Sequence, residues 1–393
     1  MKILIMTGTM NIGGIEKALI DFLHTADPSK YEITLLLESI EGEYIDQIPD
    51  YIKITTDDNL NLYLYSSRRK QLTSMMKTGK IASMFNLLYE SFIYKVSGNT
   101  CRYYNYQCSR LGKLNGKYDI AVAYHNPFRF PGNYILNNVN ARYKILWNHT
   151  DILYNNHPER EIIPYRDFYN RYDKILCVSD AARKSFITVF PEFTSKSETF
   201  YNTVNIKRIR QQAEEYIPSY KNGKPILLTV GRLSPEKGQN RIPVIANLLR
   251  MKGWDFQWIV IGDGILRSEI EQKREEFHLQ DYIELKGYLG NPYPYMRICD
   301  IYVQTSWQEG LPMVLGEVQI FNKPCVVTDV GGTREYFQCG GGIIVEENTE
   351  ERISAAIYQM LTNKDVTKHL ENEIKKSKRI TRTFDDLIAL CCR

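Results

Sequence analysis

PILLTVGRLSPEKG, residues 225–238, runs from five consecutive strand-forming residues, Ile226 to Val230, into a glycine and a loop carrying two cations, Arg232 and Lys237. The run does not alternate polar with apolar, so it reads as a parallel strand buried on both faces. The same unit recurs along the chain. KILIMT (2–7), EITLLLE (32–38), DIAVAYH (119–125), YKILWNH (143–149) and DKILCVS (173–179) make one series of strands. PILLTVG (225–231), FQWIVIGDG (256–264), YIELKGY (282–288), DIYVQTS (300–306) and PCVVTDV (324–330) make a second. Helical spacing fills the intervals: Ile15, Ala18, Leu19, Phe22 and Leu23 share one face directly after Gly13 and Gly14. This pattern predicts an α/β fold with helices covering parallel sheets.

Residues 202–224 are polar and nearly free of strand signal, and they part the two series. Two doubly wound, Rossmann-like domains facing across a cleft are therefore expected, with the site at the carboxyl ends of both sheets. The expected bounds are 1–203 for the first domain and 204–378 for the second. Residues 379–393 are expected to form a C-terminal helix returning towards the first.

Composition narrows the function classes. Across 393 residues the chain is 43% hydrophobic and 24% charged, as ordinary globular proteins are. A net charge of +4 is too small to suggest a nucleic-acid binder. The N-terminal MKILIMTGTM is too short in apolar residues for a signal-peptide core and reads as a strand. No uncharged apolar run reaches membrane-spanning length. The eight cysteines are scattered, without a CxxC pair or zinc spacing, which fits reduced thiols and a cytoplasmic protein.

Four stretches carry chemistry. Gly13 and Gly14 sit between the first strand and its helix, where a backbone can approach a ligand closely; a plain tight turn is the other reading. Gly262-Asp263-Gly264 ends another strand but lacks the third glycine of a dinucleotide fingerprint. After Gly231, Arg232 and Lys237 flank a helix start and suit a diphosphate, with an ion pair to Glu236 as the alternative. In EGLPMVLGE (309–317), Pro312 suits a helix's first turn, placing Glu309 in the preceding loop and Glu317 in the second turn. Eight residues of continuous helix would rise ~12 Å, beyond the ~5 to 9.5 Å that separates glycosidase carboxylates. The pair suits two grips on one elongated ligand, with the backbone from Gly310 through Leu311 and Pro312 to Met313 between them.

These motifs together resemble the family-four retaining glycosyltransferases of the GT-B fold. That family's donor domain carries two glutamates separated by seven residues, with Gly-Leu-Pro after the first, and Glu309 and Glu317 match. VGRLSPEKG (230–238), IGDG (261–264), LKGYL (285–289), CDIYVQTS (299–306) and VGGTREYF (330–337) are similar to its other elements. In the first half GGIEKALIDFL, DKILCVSD and FYNTVN resemble the opening loop and helix, a late strand, and the last strand before the linker.

The resemblance implies that Arg232 and Lys237 hold the donor diphosphate, Glu317 the ribose and Glu309 the transferred sugar, with Tyr288 beside the base. Gly13, Gly14, Gly231 and the 310–313 backbone complete the donor site, and Gly264 is a further candidate. A functional histidine after a first-domain strand matches His149, with His125 as second choice. The implied activity is retaining transfer of a hexose-type sugar from a UDP-linked donor to a saccharide or lipid-linked acceptor, in cell-surface polysaccharide or glycolipid synthesis. The UDP-sugar is a co-substrate; no cofactor and no metal are implied. A sugar-nucleotide 2-epimerase and a non-catalytic partner subunit share the architecture. Gly-Leu-Pro argues against the first, and retention of all four charged residues against the second.

Residues 66–117 hold ten Lys or Arg (68, 69, 70, 77, 80, 95, 102, 110, 113 and 117) and one acid, Glu90, a local excess more than twice the chain's net charge. Ile81, Met84, Phe85, Leu88 and Phe92 make a helical apolar stripe within it. Two readings follow: an amphipathic helix docked on the first domain, or a surface drawn to anionic lipid at the inner face of the cell membrane. No nucleic-acid recognition module accompanies the charge.

Overall fold

All ten apolar runs become strands in a computed structural model that describes residues 1–57, 60, 68–77, 81–125, 129–154, 165–220, 223–376 and 381–391. Of the segment 66–117, Lys80 and the side chains of Arg68 and Lys70 lie outside the described residues. Two compact units form. One comprises Met1–Thr203 with Arg382–Arg393, the other Val204–Thr381.

The first unit is built on β1 (Lys2–Thr7), β2 (Glu32–Leu37), β3 (Lys53–Thr56), β4 (Tyr118–Tyr124), β5 (Ala141–Asn148), β6 (Lys174–Cys177) and β7 (Ser197–Thr199), in the order β3-β2-β1-β4-β5-β6-β7. The second holds β8 (Ile226–Val230), β9 (Gln257–Ile261), β10 (Ile283–Gly287), β11 (Ile301–Gln304), β12 (Cys325–Thr328) and β13 (Gly342–Val345), in the order β10-β9-β8-β11-β12-β13. The described pairings are parallel throughout. Each order reverses once, between β1 and β4 and between β8 and β11. That switch point opens a crevice at the carboxyl edge of a doubly wound sheet.

The three strands outside those ten runs, β3, β7 and the short apolar GIIV of β13, all lie at sheet edges. Pairing on one side only lets a strand be short and form without a long apolar run, although β10, also at an edge, keeps one. FYNTVN (200–205) is corrected here. The strand is Ser197–Thr199, and Tyr201 to Asn205 leave the sheet as irregular backbone.

Each sheet has its own core. In the first unit rings dominate: Phe130, Tyr134, Tyr165, Phe168, Tyr169, Tyr172, Phe186, Phe190 and Phe193 are buried together. In the second, Leu227, Trp258, Val260, Val303 and Val326 of the sheet meet Ile242, Ile245 and Leu249 of helix Ile242–Met251. The seven described cysteines are free thiols, five of them buried. Among the described residues no helix is long and apolar enough to cross a membrane.

Candidate active site

The charged candidates of the second unit all emerge from the carboxyl edge of its sheet. Gly231, Arg232 and Lys237 follow β8, Gly264 follows β9, Tyr288 follows β10, and Glu309 follows β11. Tyr288 is exposed. Pro312 is the N-cap rather than the first helical residue, so the helix is Met313–Gln319 and Glu317 lies in its second turn. Leu311, Pro312 and Met313 are buried, leaving the backbone rather than these side chains for a ligand.

The two cations meet carboxylates. Lys237 Nζ lies 2.7 and 2.6 Å from the two oxygens of Glu309, which is only 8% exposed. Ser306 Oγ and Gln304 Nε2 donate to the same Oε1 at 2.7 and 3.2 Å. A buried carboxylate is thus held by one ammonium and two neutral donors, the provision that a desolvated charge requires. Arg232, 72% exposed, reaches Glu236 Oε1 at 3.0 Å, the ion pair weighed from the sequence, and Ser234 Oγ donates to that oxygen at 2.6 Å. Burial raises the Glu236 carboxyl, but the Ser234 hydroxyl, a backbone amide and Arg232 together hold it below its ordinary value. Glu317 is buried. The hydroxyl of buried Tyr302 lies in the field of both Glu309 and Glu317. Burial above all, then Cys325 and these two charges, push it well above its ordinary value against the bond it donates to Val230.

The loops bearing these groups are joined to one another. Trp307 and Gln308 donate backbone N–H to Glu236 O at 2.8 and 3.1 Å, and Thr305 Oγ1 donates to Lys237 O at 3.2 Å. The 330–333 turn closes the other side, with Gly332 N–H donating to Gly310 O at 2.9 Å. Gly331 adopts φ +50°, and a β-carbon there would sit 1.8 Å from Glu309 O. At Gly264 (φ +155°) a β-carbon would come within 2.3 Å of Leu233 O, so this turn packs on the Arg232 loop. Both positions demand glycine on steric grounds.

Sequence reasoning missed three supports: Gln304, Ser306 and Arg241. The first two are polar residues at the end of an apolar strand, a detectable oddity. Arg241 is 4% exposed, pairs with Glu350 at 2.9 Å and donates to Thr305 O at 3.4 Å. Its guanidinium stacks 4.0 Å from the Trp307 ring centroid. It fixes the loop that ends in Glu309.

In the first unit Gly13 is the extended N-cap of helix Gly14–Leu23. The Glu16 carboxylate occupies the space over it, since a β-carbon at Gly13 would lie 2.1 Å from Oε2. That helix end therefore already faces an acid and suits a hydroxyl better than a phosphate. His125 and His149 follow β4 and β5. Burial, then Arg129, lowers His125 to about 4. Burial, then His125, lowers His149 well below the ordinary imidazole value. His149 stacks on Trp147 and meets Tyr124 at 4.7 Å between ring centroids. Its Nε2 is buried without a hydrogen-bond partner among the described residues.

Two parallel, doubly wound units with a glutamate–lysine cluster on the second sheet's carboxyl edge define a GT-B protein. Residues 211–379 match the family of glycosyl transferases group 1. Over 219 residues the chain is 30% identical to the N-acetylgalactosamine-N,N'-diacetylbacillosaminyl-diphospho-undecaprenol 4-alpha-N-acetylgalactosaminyltransferase of Campylobacter jejuni, covering 55% of this chain and 58% of that one. It is 28% identical over 151 residues to the 2-deoxystreptamine N-acetyl-D-glucosaminyltransferase of Niallia circulans, 38% of this chain and 39% of that one. The chain thus spans little more than half the length of such relatives, or less. Among solved structures, Anabaena HepE in complex with UDP and glucose superposes with a TM-score of 0.64 at 17% identity, over 96% of this chain and 94% of HepE. S. aureus TarM, as a variant in complex with UDP, fondaparinux and alpha-GlcNAc-glycerol, gives 0.67 at 14% identity over 97% of each chain. These two likenesses establish the GT-B fold.

Proposed function

We propose that the protein is a retaining glycosyltransferase that moves a hexose-type sugar from a nucleotide donor, UDP-linked, to a saccharide or lipid-linked acceptor in cell-surface polysaccharide or glycolipid synthesis. The observation that carries the reading is the buried Glu309 carboxylate gripped by Lys237 inside the family-matched segment. Arg232 and Lys237 would neutralise the departing diphosphate, doing the work a metal does in other transferases. Glu309 would hold the transferred sugar and Glu317 the ribose. The leaving phosphate oxygen takes the proton of the acceptor hydroxyl as that hydroxyl attacks from the same face, so the anomeric configuration is kept. Donor entry requires Lys237 to share or exchange its hold on Glu309. His149, kept neutral by burial, would offer an uncharged imidazole to a sugar hydroxyl. The first unit is assigned to the acceptor and the second to the donor. The relatives and HepE lend support through the sugar transfers and the UDP in their names.

The test is incubation with a panel of nucleotide sugars, with and without saccharide and polyprenyl-linked acceptors. UDP release accompanied by an α-linked product is the expected result. A folded protein that releases no nucleotide from any donor would sink the reading, and a 2-epimer formed without acceptor would replace it.

A further inference from the structure

Helix Ile81–Ser97 buries Leu87 and Ser91 against its unit. Its large apolar residues lie elsewhere. Ile81, Phe85, Leu88, Tyr89, Phe92 and Val96 are all exposed, Phe85 and Phe92 by 63% each. At about 100° per residue these six fall within an arc of roughly 100°, turned away from Leu87 and Ser91. The arc runs ~22 Å along the axis, and no other residue of the helix interrupts it. Met84, expected in the same stripe, is half-buried at its border. The stripe read from the sequence is therefore no docking face towards the core: it faces solvent.

Charge narrows the choice of partner. Lys95 is exposed beside the arc, and Arg69 and Lys77 are exposed on helix Arg68–Lys77, which packs alongside. Glu90, the one acid of the region, is already engaged by Arg102 through two 2.8 Å hydrogen bonds. An apolar patch this long with a basic border marks an interaction surface. A second copy of the chain fits poorly, because a two-fold contact would set the same cations against themselves. An anionic bilayer accepts both features: the rings and aliphatic chains enter the headgroup–acyl boundary, and the cations meet lipid phosphates.

We propose that the exposed face of helix Ile81–Ser97 docks the protein on an anionic lipid surface. Binding is read without turnover, so the outcome is independent of the proposed activity. In flotation, the full-length protein should rise with phosphatidylglycerol–phosphatidylcholine vesicles at low salt and stay behind with phosphatidylcholine alone. Phe85→Ser with Phe92→Ser should lower partitioning on the order of a hundredfold, since each ring forfeits the transfer of its apolar surface. Lys77→Glu with Lys95→Glu should lower it at least about tenfold. High salt should reproduce that second loss. All four positions are exposed, so circular dichroism melting should be unmoved. Three results would overturn the proposal: no partitioning onto anionic vesicles, partitioning indifferent to the serine pair, or a solution dimer that the serine pair converts to monomer.

Discussion

Lys237 is the residue on which the proposed chemistry turns, and its removal should act in two separable ways. Lys237→Ala leaves Glu309 with Ser306 and Gln304 but, among the described residues, no counter-charge. A fully buried pair broken this way costs several kcal/mol; Lys237 keeps 29% of its side chain in solvent, so about 1–2 kcal/mol is expected. Turnover should fall on the order of a hundredfold through lost stabilisation of the leaving group. Adding Glu309→Gln should restore the melting temperature without restoring turnover. If stability and rate recover together, Lys237 serves only to hold the loop.

The histidines set the acid limit at the same scale. His125 titrates at about 4 in the fold against an ordinary value of 6.5. Below pH 6.5 the unfolded chain binds a proton that the folded chain refuses, so stability is full above that value and falls as pH drops towards 4. The loss approaches about 1.4 kcal/mol per pH unit, and His149, lowered for the same reason, adds to it. Melting followed from pH 7 to 5 should show this decline, and His125→Gln should flatten it. An unchanged slope in that variant would mean that the buried imidazole does not control the acid side.

Among the elements, the 330–333 turn has the sharpest requirement. Gly331→Ala places a methyl group where Glu309 O lies, in a left-handed conformation that alanine dislikes. The variant should lose at least about 2 kcal/mol of stability and bind donor weakly, because the displaced backbone carries Glu309. Isothermal titration with UDP-sugar, beside thermal melting, checks both effects. Legibility also divides by element. Central strands announce themselves because two buried faces require unbroken apolar runs; β3 and β7 do not, since pairing by a neighbour rather than their own side chains makes them strands. The three apolar residues of β13 are too few to stand out. The glycines, glutamates and cations at the carboxyl edge were visible as motifs. The pairing of Lys237 with Glu309 and the prop supplied by Arg241 were not, because contacts 72 and 64 residues apart leave no local pattern. The apolar stripe of helix Ile81–Ser97 was legible, but its direction depends on which neighbours cover Leu87 and Ser91.

At the level of the whole molecule, the chain leaves the first unit at Thr203 and returns to it at Arg382. The return is anchored by Phe384, fully buried, whose ring stacks on Phe22 at 5.0 Å and lies 5.1 Å from that of Tyr31. Its backbone N–H donates to Thr25 Oγ1 at 2.9 Å, and Tyr31 donates to Asp385 at 2.6 Å. Phe22 belongs to the helix begun by Gly13 and Gly14 and also touches Trp147, the neighbour of His149 in the ring stack. Phe384→Ala opens a cavity at this junction and should cost the first unit about 3–5 kcal/mol. The second unit has its own core and its own sheet, so its stability should stay unchanged. Native-state hydrogen exchange reads the two separately: amides of β1, β4 and β5 should lose protection while those of β8, β9 and β11 keep theirs. Equal loss in both sheets would mean that the two units unfold as one, and that the terminal helix stabilises the second unit as well.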